Sequence, residues 1–243
     1  MKPRFPHSAM IELREYSSGG REEGQVSADV VLEHLAPRLT PERMQKIWRV
    51  VAGRTCDVTP VLENIYDRGN TSAVLRSAEA MGFQCVHVIE PGERFKEANR
   101  VTAGADKWLD VARFKTTVAA VADLRDKGYT ILATHLDAKS RPLHECDLTG
   151  PIAVVLGNEK DGISTDMQEL CDQSVILPMR GFVQSYNISV AAAIAFQTIQ
   201  LAREARGLAG NLSAEEQKIL AAHYVLRTLD NPARLLREIL ARL

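Results

Sequence analysis

From residue 58 onwards, short apolar runs alternate with helical patterns, and this alternation constrains the fold more than any other feature. The strongest apolar runs cover residues 58–65, 85–89, 129–134 and 152–156, with weaker ones at 108–114 and 175–177. Helical patterns cover residues 70–81, 117–126, 164–171 and 189–206, whereas residues 91–107 are ambiguous. Apolar strands that alternate with helices are typical of a mostly parallel sheet with helices on both faces. The sequence therefore predicts an α/β fold.

The two ends of the chain have a different pattern. Residues 1–25 are polar and predict a flexible tail. Residues 26–56 predict an N-terminal helical extension, in which Thr40 caps a helix that begins at Pro41. The α/β domain then covers residues 57–207, and residues 208–243 predict a C-terminal helical extension that begins after a glycine-containing break.

The charge balance limits the classes of partner. Lys and Arg number 30 against 31 Asp and Glu, so a nucleic-acid partner would need a local basic patch. Such a patch is offered by Arg43, Lys46, Arg49 and Arg54. These side chains form either a solvated helix face or a contact to phosphates. An aromatic content of 5% disfavours a base-stacking platform.

Cysteine and histidine spacing excludes several other classes. The four cysteines form no CxxC pair, which indicates free thiols in a reducing compartment. The six histidines have no metal-ligand spacing, so we expect no metal. The N-terminus lacks the apolar core of a signal peptide, and the apolar run at 190–196 is too short to span a bilayer. We therefore expect a cytoplasmic protein without a membrane partner.

Three loops carry the candidate chemistry. Residues 157–164 (GNEKDGIS) have the glycine spacing of a phosphate-binding loop but lack its Lys-Ser/Thr pair, which leaves a plain turn or a close backbone approach to another ligand. In the loop and helix at 63–76, Asn70 is a candidate helix cap, and Arg76 lies among apolar residues. In the third loop, residues 184–187 (QSYN) either cap the next helix or face a ligand.

Taken together, these loops resemble three motifs of a known family. The motif segments are Asn64 with residues 69–76 (GNTSAVLR), residues 156–162 (LGNEKDG), and residues 177–179 (LPM) with 184–191 (QSYNISVA). Their order and spacing are similar to those of the SpoU/TrmH-type RNA 2′-O-ribose methyltransferases of the SPOUT class. The resemblance covers about residues 58–206.

The resemblance implies a fold, a cofactor and a set of site residues. The fold would contain a C-terminal trefoil knot that binds S-adenosylmethionine, and the enzyme would be a homodimer. The implied catalytic residues are Asn70, Arg76, Glu159, Ser185 and Asn187. The implied cofactor-binding residues are Thr134, His135, Leu156, Gly157, Leu177 and Tyr186. The terminal helices would grip tRNA through Arg43, Lys46, Arg49 and Arg54.

The resemblance also suggests individual roles and two departures. Arg76 would contact the target 2′-hydroxyl and its adjacent phosphate, and Asn70, as a helix cap, would orient Arg76. Arginine is a poor base because it stays protonated, so we favour a phosphate clamp. Gly69 and Tyr186 stand where related enzymes usually carry His and Leu.

The resulting functional hypothesis is methylation of a tRNA ribose, specifically that of the D-loop guanosine. An enzyme of the same family that acts on ribosomal RNA or on another tRNA position is the nearest alternative. A catalytically silent RNA-binding protein and an α/β small-molecule binding module are alternatives from other classes. Salt-dependent tRNA binding would exclude the last of these.

Overall fold

The computed structural model describes residues 1–17, 24–90, 106–183 and 185–242. Most of the ambiguous segment at 91–107, together with Gln184 and Leu243, lies outside the described residues. The chain forms two compact units. The sheet unit comprises Met1–Arg4 and Thr55–Ala209, and the helical unit comprises Phe5–Arg54 and Gly210–Leu243.

In chain order, the strands are β1 (Met10–Glu12), β2 (Gln25–Ser27), β3 (Val58–Glu63), β4 (Cys85–Ile89), β5 (Asp110–Phe114), β6 (Thr130–Thr134), β7 (Arg141–Pro142), β8 (Ile152–Leu156) and β9 (Gln173–Ile176). The α-helices are α1 (Ala28–Leu35), α2 (Pro41–Ala52), α3 (Arg68–Ala80), α4 (Thr117–Asp126), α5 (Thr165–Leu170), α6 (Ile188–Glu204), α7 (Ala214–Thr228) and α8 (Pro232–Leu240). Among the described residues, no helix is both long and apolar enough to cross a membrane.

The sheet unit is built on a seven-stranded sheet with the order β5-β4-β3-β8-β6-β9-β7. Every neighbouring pair in it is parallel. Strand β8 lies between β3 and β6, so that Val58 and Thr130 both align with Ile152. The prediction of a mostly parallel sheet is confirmed. The short strand β7 has no counterpart in the sequence pattern.

Helices cover both faces of this sheet. Alternate side chains of one strand point to opposite faces. Leu62 packs in a core cluster with residues of α3 and α6, whereas its neighbour Val61 packs in a second cluster with residues of α4 and α5. The two-sided α/β architecture is therefore confirmed, while the trefoil knot stays a prediction.

The helical unit contains structure where composition predicts a flexible tail. Strand β1 pairs antiparallel with β2, and Ile11 lies opposite Val26. Ile11 and the following Leu13 are buried. Residues 10–13 are thus ordered rather than flexible, because Ile11 and Leu13 are buried in a core that average composition does not reveal. Residues 18–23 of the predicted flexible tail lie outside the described residues.

Local capping signals fix most of the helix starts. Thr40 Oγ1 accepts a hydrogen bond from the amide of Arg43 at 3.2 Å, and Ser213 and Glu216 form a complete capping box. These two predicted starts are confirmed. The start of α3 differs, because Asp67 rather than Asn70 is its N-cap residue.

Candidate active site

A cavity of about 720 Å³ opens where the chain leaves the carboxyl ends of β6, β8 and β9. This is the edge at which parallel α/β sheets usually bind ligands. Eight of the predicted site residues line the cavity: Thr134, His135, Leu156, Gly157, Glu159, Leu177, Ser185 and Tyr186. The structure therefore brings the second and third motif segments together around one space.

The strand ends that frame the cavity are joined to one another. Thr134 Oγ1 donates a hydrogen bond to the carbonyl of Val155 at 2.8 Å. The backbone amide of His135 donates to the carbonyl of Val175 at 3.1 Å. The end of β6 is thus held to its neighbours on both sides, which gives the cavity a fixed wall.

The loop after β8, residues 157–163, is a tight turn organised by Asn158. The amides and carbonyls of Asn158 and Gly162 are paired with each other at 2.9 Å. Asn158 Oδ1 accepts from the amides of Lys160 and Asp161 at 2.7 and 3.1 Å. A Cβ atom at Gly157 would lie 2.4 Å from the carbonyl carbon of Gly162. The glycine spacing therefore serves a compact turn that presents Glu159 at the cavity.

Asn70 connects the first motif segment to this cavity. Its backbone amide donates to Asp67 Oδ1 at 3.0 Å, so the cap function belongs to Asp67 and the side chain of Asn70 is left for other partners. Asn70 Nδ2 donates to the carboxylate of Glu159. Asn70 Oδ1 accepts from Asn187 Nδ2 at 3.4 Å. One amide therefore joins residues from all three motif segments.

Asn187 combines the two roles that the sequence left open for the third loop. It is the N-cap of α6, and its Oδ1 accepts hydrogen bonds from the amide and hydroxyl of Ser189 at 2.9 and 2.6 Å. Its Nδ2 points the other way, towards Asn70. Helix capping thus fixes the orientation with which Asn187 joins the site.

Arg76 lies less than two turns beyond Asn70 on α3, and its side chain is exposed. Within the parts of the chain that the structure describes, its guanidinium has no hydrogen bond or ion pair. The predicted orientation of Arg76 by Asn70 is not supported, because the side chain of Asn70 is committed to Glu159 and Asn187. The exposed guanidinium is available to a ligand.

The two departures from the family pattern have different settings. A Cβ at Gly69 would lie 2.9 Å from Asp67 Oδ1, so glycine at this position accommodates the cap of α3. Tyr186 is 38% exposed and lines the cavity. Sequence reasoning missed Asp67 and Asn158, although an Asx residue before a turn or a helix start was a usable signal for both.

The predicted RNA-contacting residues lie in the helical unit and differ in exposure. Lys46 and Arg49 are exposed on α2, and Arg43 is half-buried with its Nη2 donating to Thr228 Oγ1 at 3.5 Å. Arg54 is only 1% exposed, and its guanidinium lies 5.8 Å from the ring centroid of Tyr224. The prediction of an RNA contact is therefore corrected for Arg54, because burial withdraws this charge from the surface.

Comparison with known proteins identifies the family. The model of the SpoU rRNA methylase family matches residues 57–197. The chain belongs to the SpoU rRNA methylase family. The SpoU match covers all seven strands of the large sheet, and thus the strand ends around the cavity, but not α2, α7 or α8.

Individual SpoU-type relatives agree with this assignment. The tRNA (guanosine(18)-2′-O)-methyltransferase of Escherichia coli strain K12 is 37% identical over 170 residues, which cover 70% of this chain and 74% of the relative. The enzyme of the same name from Thermus thermophilus is 36% identical over 70% of this chain and 87% of its own. The crystal structure of the Aquifex aeolicus TrmH/SpoU tRNA modifying enzyme superposes with a TM-score of 0.68 at 30% identity, covering 75% of this chain and 95% of that one.

Proposed function

We propose that this protein transfers a methyl group from S-adenosylmethionine to the 2′-hydroxyl of a tRNA ribose, at the D-loop guanosine. The observation that carries the proposal is the contact of Asn70 with Glu159 and Asn187, which joins three motif segments of a methylase family at one cavity. The relatives named tRNA (guanosine(18)-2′-O)-methyltransferase, which match most of this chain, support the choice of substrate.

The cavity suits S-adenosylmethionine in size and chemistry. Its volume of about 720 Å³ falls within the range of small-molecule and cofactor sites. Leu156 and Leu177 offer apolar surface to a flat base, and the Glu159 carboxylate offers a negative charge to a cationic ligand. When bound, this cofactor supplies a methyl group activated by a positively charged sulfur. Thr134, His135, Gly157 and Tyr186 complete the wall that would hold it.

The chain's own residues would align and deprotonate the ribose hydroxyl. Arg76 would hold the adjacent phosphate through its planar guanidinium, which stays charged at neutral pH. Glu159 is a carboxylate in the cavity wall and would accept the hydroxyl proton at one of its Oε atoms. Asn70 would fix the orientation of that carboxylate through its hydrogen bond. Ser185 and Asn187 would bound the space in which the ribose lies.

We further propose that the functional form is a homodimer. On α6, the apolar side chains of Val190, Ile194 and Leu201 are 46%, 37% and 56% exposed. Their spacing of four and seven residues places them on one face of the helix. A second copy of this chain would cover that face. Light scattering of Ile194→Lys should give a monomer, whereas Lys115→Glu on another exposed surface should leave the dimer intact.

The helical unit would supply the attraction for tRNA. Lys46 and Arg49 are exposed on α2 and would contact phosphates in the cytoplasm, where tRNA is found. Charge reversal at both positions should weaken tRNA binding and lower its salt dependence, while S-adenosylmethionine affinity stays unchanged. Equal tRNA binding and salt dependence in the wild type and this variant would contradict the role of α2.

Arg76→Ala provides the direct test of the proposed reaction. We expect normal S-adenosylmethionine binding by calorimetry and loss of tritiated methyl transfer to tRNA. Lys115→Ala, which also removes an exposed positive charge from the sheet unit, serves as the matched control. Near-normal methyl transfer by Arg76→Ala would contradict the assignment.

The target nucleotide is tested by mapping ribose methylation in RNA from a strain that lacks this gene. We expect methylation to be lost at the D-loop guanosine of tRNA. Loss at a ribosomal RNA position instead would retain the reaction and change the substrate.

A further inference from the structure

Glu63 is a buried acidic residue that the proposed reaction does not use. It is the last residue of β3, and its side chain is 0% exposed. Its Oε1 accepts hydrogen bonds from Thr117 Oγ1 at 2.6 Å and from Ser164 Oγ at 2.7 Å. Its Oε2 accepts from the backbone amide of Ser164 at 2.8 Å. Three short hydrogen bonds offset the cost of removing this carboxylate from water.

Ser164 is the more informative of these partners because it directly follows the loop of residues 157–163, which we call the cavity loop. It is the N-cap of α5, and its Oγ accepts from the amide of Met167 at 3.1 Å. The cavity loop is therefore followed by a residue held by two hydrogen bonds to Glu63. Thr117, by contrast, lies at the start of α4 and outside this loop, although its Oγ1 is 3.4 Å from Ser164 Oγ as well as 2.6 Å from Glu63 Oε1.

The residue after Glu63 holds the other end of the same loop. Asn64 has a left-handed backbone with φ of 56°, a conformation that costs energy for a residue other than glycine. Its carbonyl accepts a hydrogen bond from Asn158 Nδ2 at 3.1 Å. Two consecutive residues at the end of β3 thus anchor the loop on either side of Glu159.

A third connection leads from β3 to the carboxylate of Glu159. Strand β3 is followed by α3, and Asn70 in the first turn of α3 donates to Glu159. The backbone of Glu159 and the partner of its side chain are therefore both positioned from the end of β3. A shift of the loop relative to β3 would separate Glu159 from Asn70.

We propose that Glu63 is a positioning residue for methyl transfer: it holds the cavity loop where Glu159 meets Asn70 and the ribose hydroxyl. The assignment rests on the proposed function. It differs from a purely structural role, in which the loss of any hydrogen bond to Glu63 would lower stability and activity together.

Two variants of the same cluster separate these roles. Glu63→Gln keeps the side-chain volume but replaces one acceptor oxygen with a donor group, which cannot accept from Ser164. We expect kcat to fall by about 10- to 100-fold, because small displacements of reacting groups are costly, with an unchanged KM for tRNA. Thr117→Val removes a hydrogen bond to the same carboxylate and the 3.4 Å contact with Ser164 Oγ, but leaves both hydrogen bonds from Ser164 to Glu63 in place, so its kcat should stay near that of the wild type. Equal losses of kcat in the two variants at equal melting temperature would overturn the proposal.

A double-mutant cycle tests whether Glu63 acts through Glu159. In the Glu159→Gln background, Glu63→Gln should have little further effect on kcat. Fully additive losses would show that Glu63 acts by another route and would overturn the proposal. Should Glu63→Gln fail to fold, Ser164→Ala, which keeps the carboxylate and removes the hydroxyl link, takes its place in both comparisons.

Hydrogen exchange gives a readout that does not depend on catalysis. The amides of Lys160 and Asp161 are hydrogen-bonded to Asn158 within the loop. We expect faster exchange at both amides in Glu63→Gln and unchanged exchange in Thr117→Val. Unchanged exchange in Glu63→Gln would overturn the positioning role. A wild-type protein that methylates no RNA would contradict the proposed function, while the exchange data still report whether Glu63 holds the loop.

Discussion

The charged side chains at the two edges of the large parallel sheet differ in burial, with Glu63, buried at the carboxyl end of β3, as the exception at its edge. At the amino edge, just before β3, Asp57 pairs with Arg4 at 2.8 Å and with Arg203 at 3.3 Å. Arg203 is fully buried and also donates to the carbonyls of Thr149 and Gly150 at 2.9 and 3.0 Å. At the carboxyl edge, Glu159 is exposed beside the cavity.

The difference separates stability from function within one set of strands. Buried charges must be satisfied inside the protein, so the amino edge contributes to the fold and offers little to a ligand. Exposed polar groups on loops beyond the carboxyl ends contribute little to stability and stay available for binding. Variants at the two edges should therefore affect different measurements.

The largest expected effect is on stability, at the amino edge. Arg203→Met leaves Asp57 with one cationic partner fewer and the carbonyls of Thr149 and Gly150 without their donor. We expect the free energy of unfolding in urea to fall by about 3–5 kcal/mol. Arg206→Met, at an exposed position three residues further on, should change it by less than about 0.5 kcal/mol. Similar stability in both variants would remove the distinction between the edges.

The second effect is on catalysis, at the carboxyl edge. Glu159→Gln removes the proposed proton acceptor, so we expect kcat for tRNA methylation to fall by about 100-fold or more. The free energy of unfolding should change by less than about 0.5 kcal/mol because the side chain is exposed. Glu169→Gln on α5 is the matched exposed control. A large loss of stability in Glu159→Gln would mean that the carboxyl edge also holds the fold together.

The third effect is on cofactor affinity and uses two glycines that line the cavity. Gly157→Ala places a Cβ against backbone atoms of Gly162 and Ile163, whereas a Cβ at Gly181 meets no atom within 4 Å. Overpacking of this kind costs about 1–3 kcal/mol, so Gly157→Ala should weaken S-adenosylmethionine binding about tenfold or more in calorimetry. Gly181→Ala should bind nearly as well as the wild type. Equal weakening of cofactor binding in the two variants would mean that the contact of the added Cβ with Gly162 and Ile163 is not the cause.

The smallest effect concerns His87, in the middle of β4 and away from both edges. Burial lowers the pKa of His87 below its usual 6.5, despite a hydrogen bond to Asp123 at 2.8 Å. As the pH falls below about 6.5, the unfolded chain therefore binds the proton first, and stability decreases. The pKa of Asp123 is lowered to about 2, mainly by its hydrogen bond to His87, so it does not titrate in this range.

Urea unfolding at about pH 7.5 and about pH 5.5 measures this dependence on either side of the ordinary histidine pKa. We expect wild-type stability to be lower at the acidic value and His87→Gln to reduce the difference. An unchanged difference in His87→Gln would assign the pH dependence to other groups.

Sequence reasoning succeeded where the signal is local. The apolar runs located β3, β4, β6 and β8 to within a few residues, and Thr40 and Ser213 marked helix starts because a hydroxyl can accept from a nearby backbone amide. The sequence predicts Asn70 and not Asp67 as the cap of α3, because local preference does not rank two good cap residues three positions apart. Because Asp67 caps the helix, the side chain of Asn70 can reach Glu159.

What the sequence could not reveal depends on contacts between distant residues. The insertion of β8 between β3 and β6 brings Glu63 next to Ser164, which lies about a hundred residues further along the chain. The burial of Arg54 likewise depends on Tyr224. Resemblance identified the motif residues, but the partners of those residues are properties of the packed structure.

The hydrogen bonds around Asn70 also impose a direction. A carboxylate only accepts, so Asn70 must turn its amide nitrogen to Glu159 and its oxygen to Asn187. Asn187 must then present its own nitrogen to Asn70 and its oxygen to the amide of Ser189 in the first turn of α6. The dipoles of both side-chain amides therefore point in the same direction, with their positive ends towards the carboxylate of Glu159 and their negative ends towards the positive end of the α6 dipole. The ionised carboxylate of Glu159 thus fixes the orientation of both side-chain amides. A protonated Glu159 could also donate a hydrogen bond, so it would no longer require this orientation.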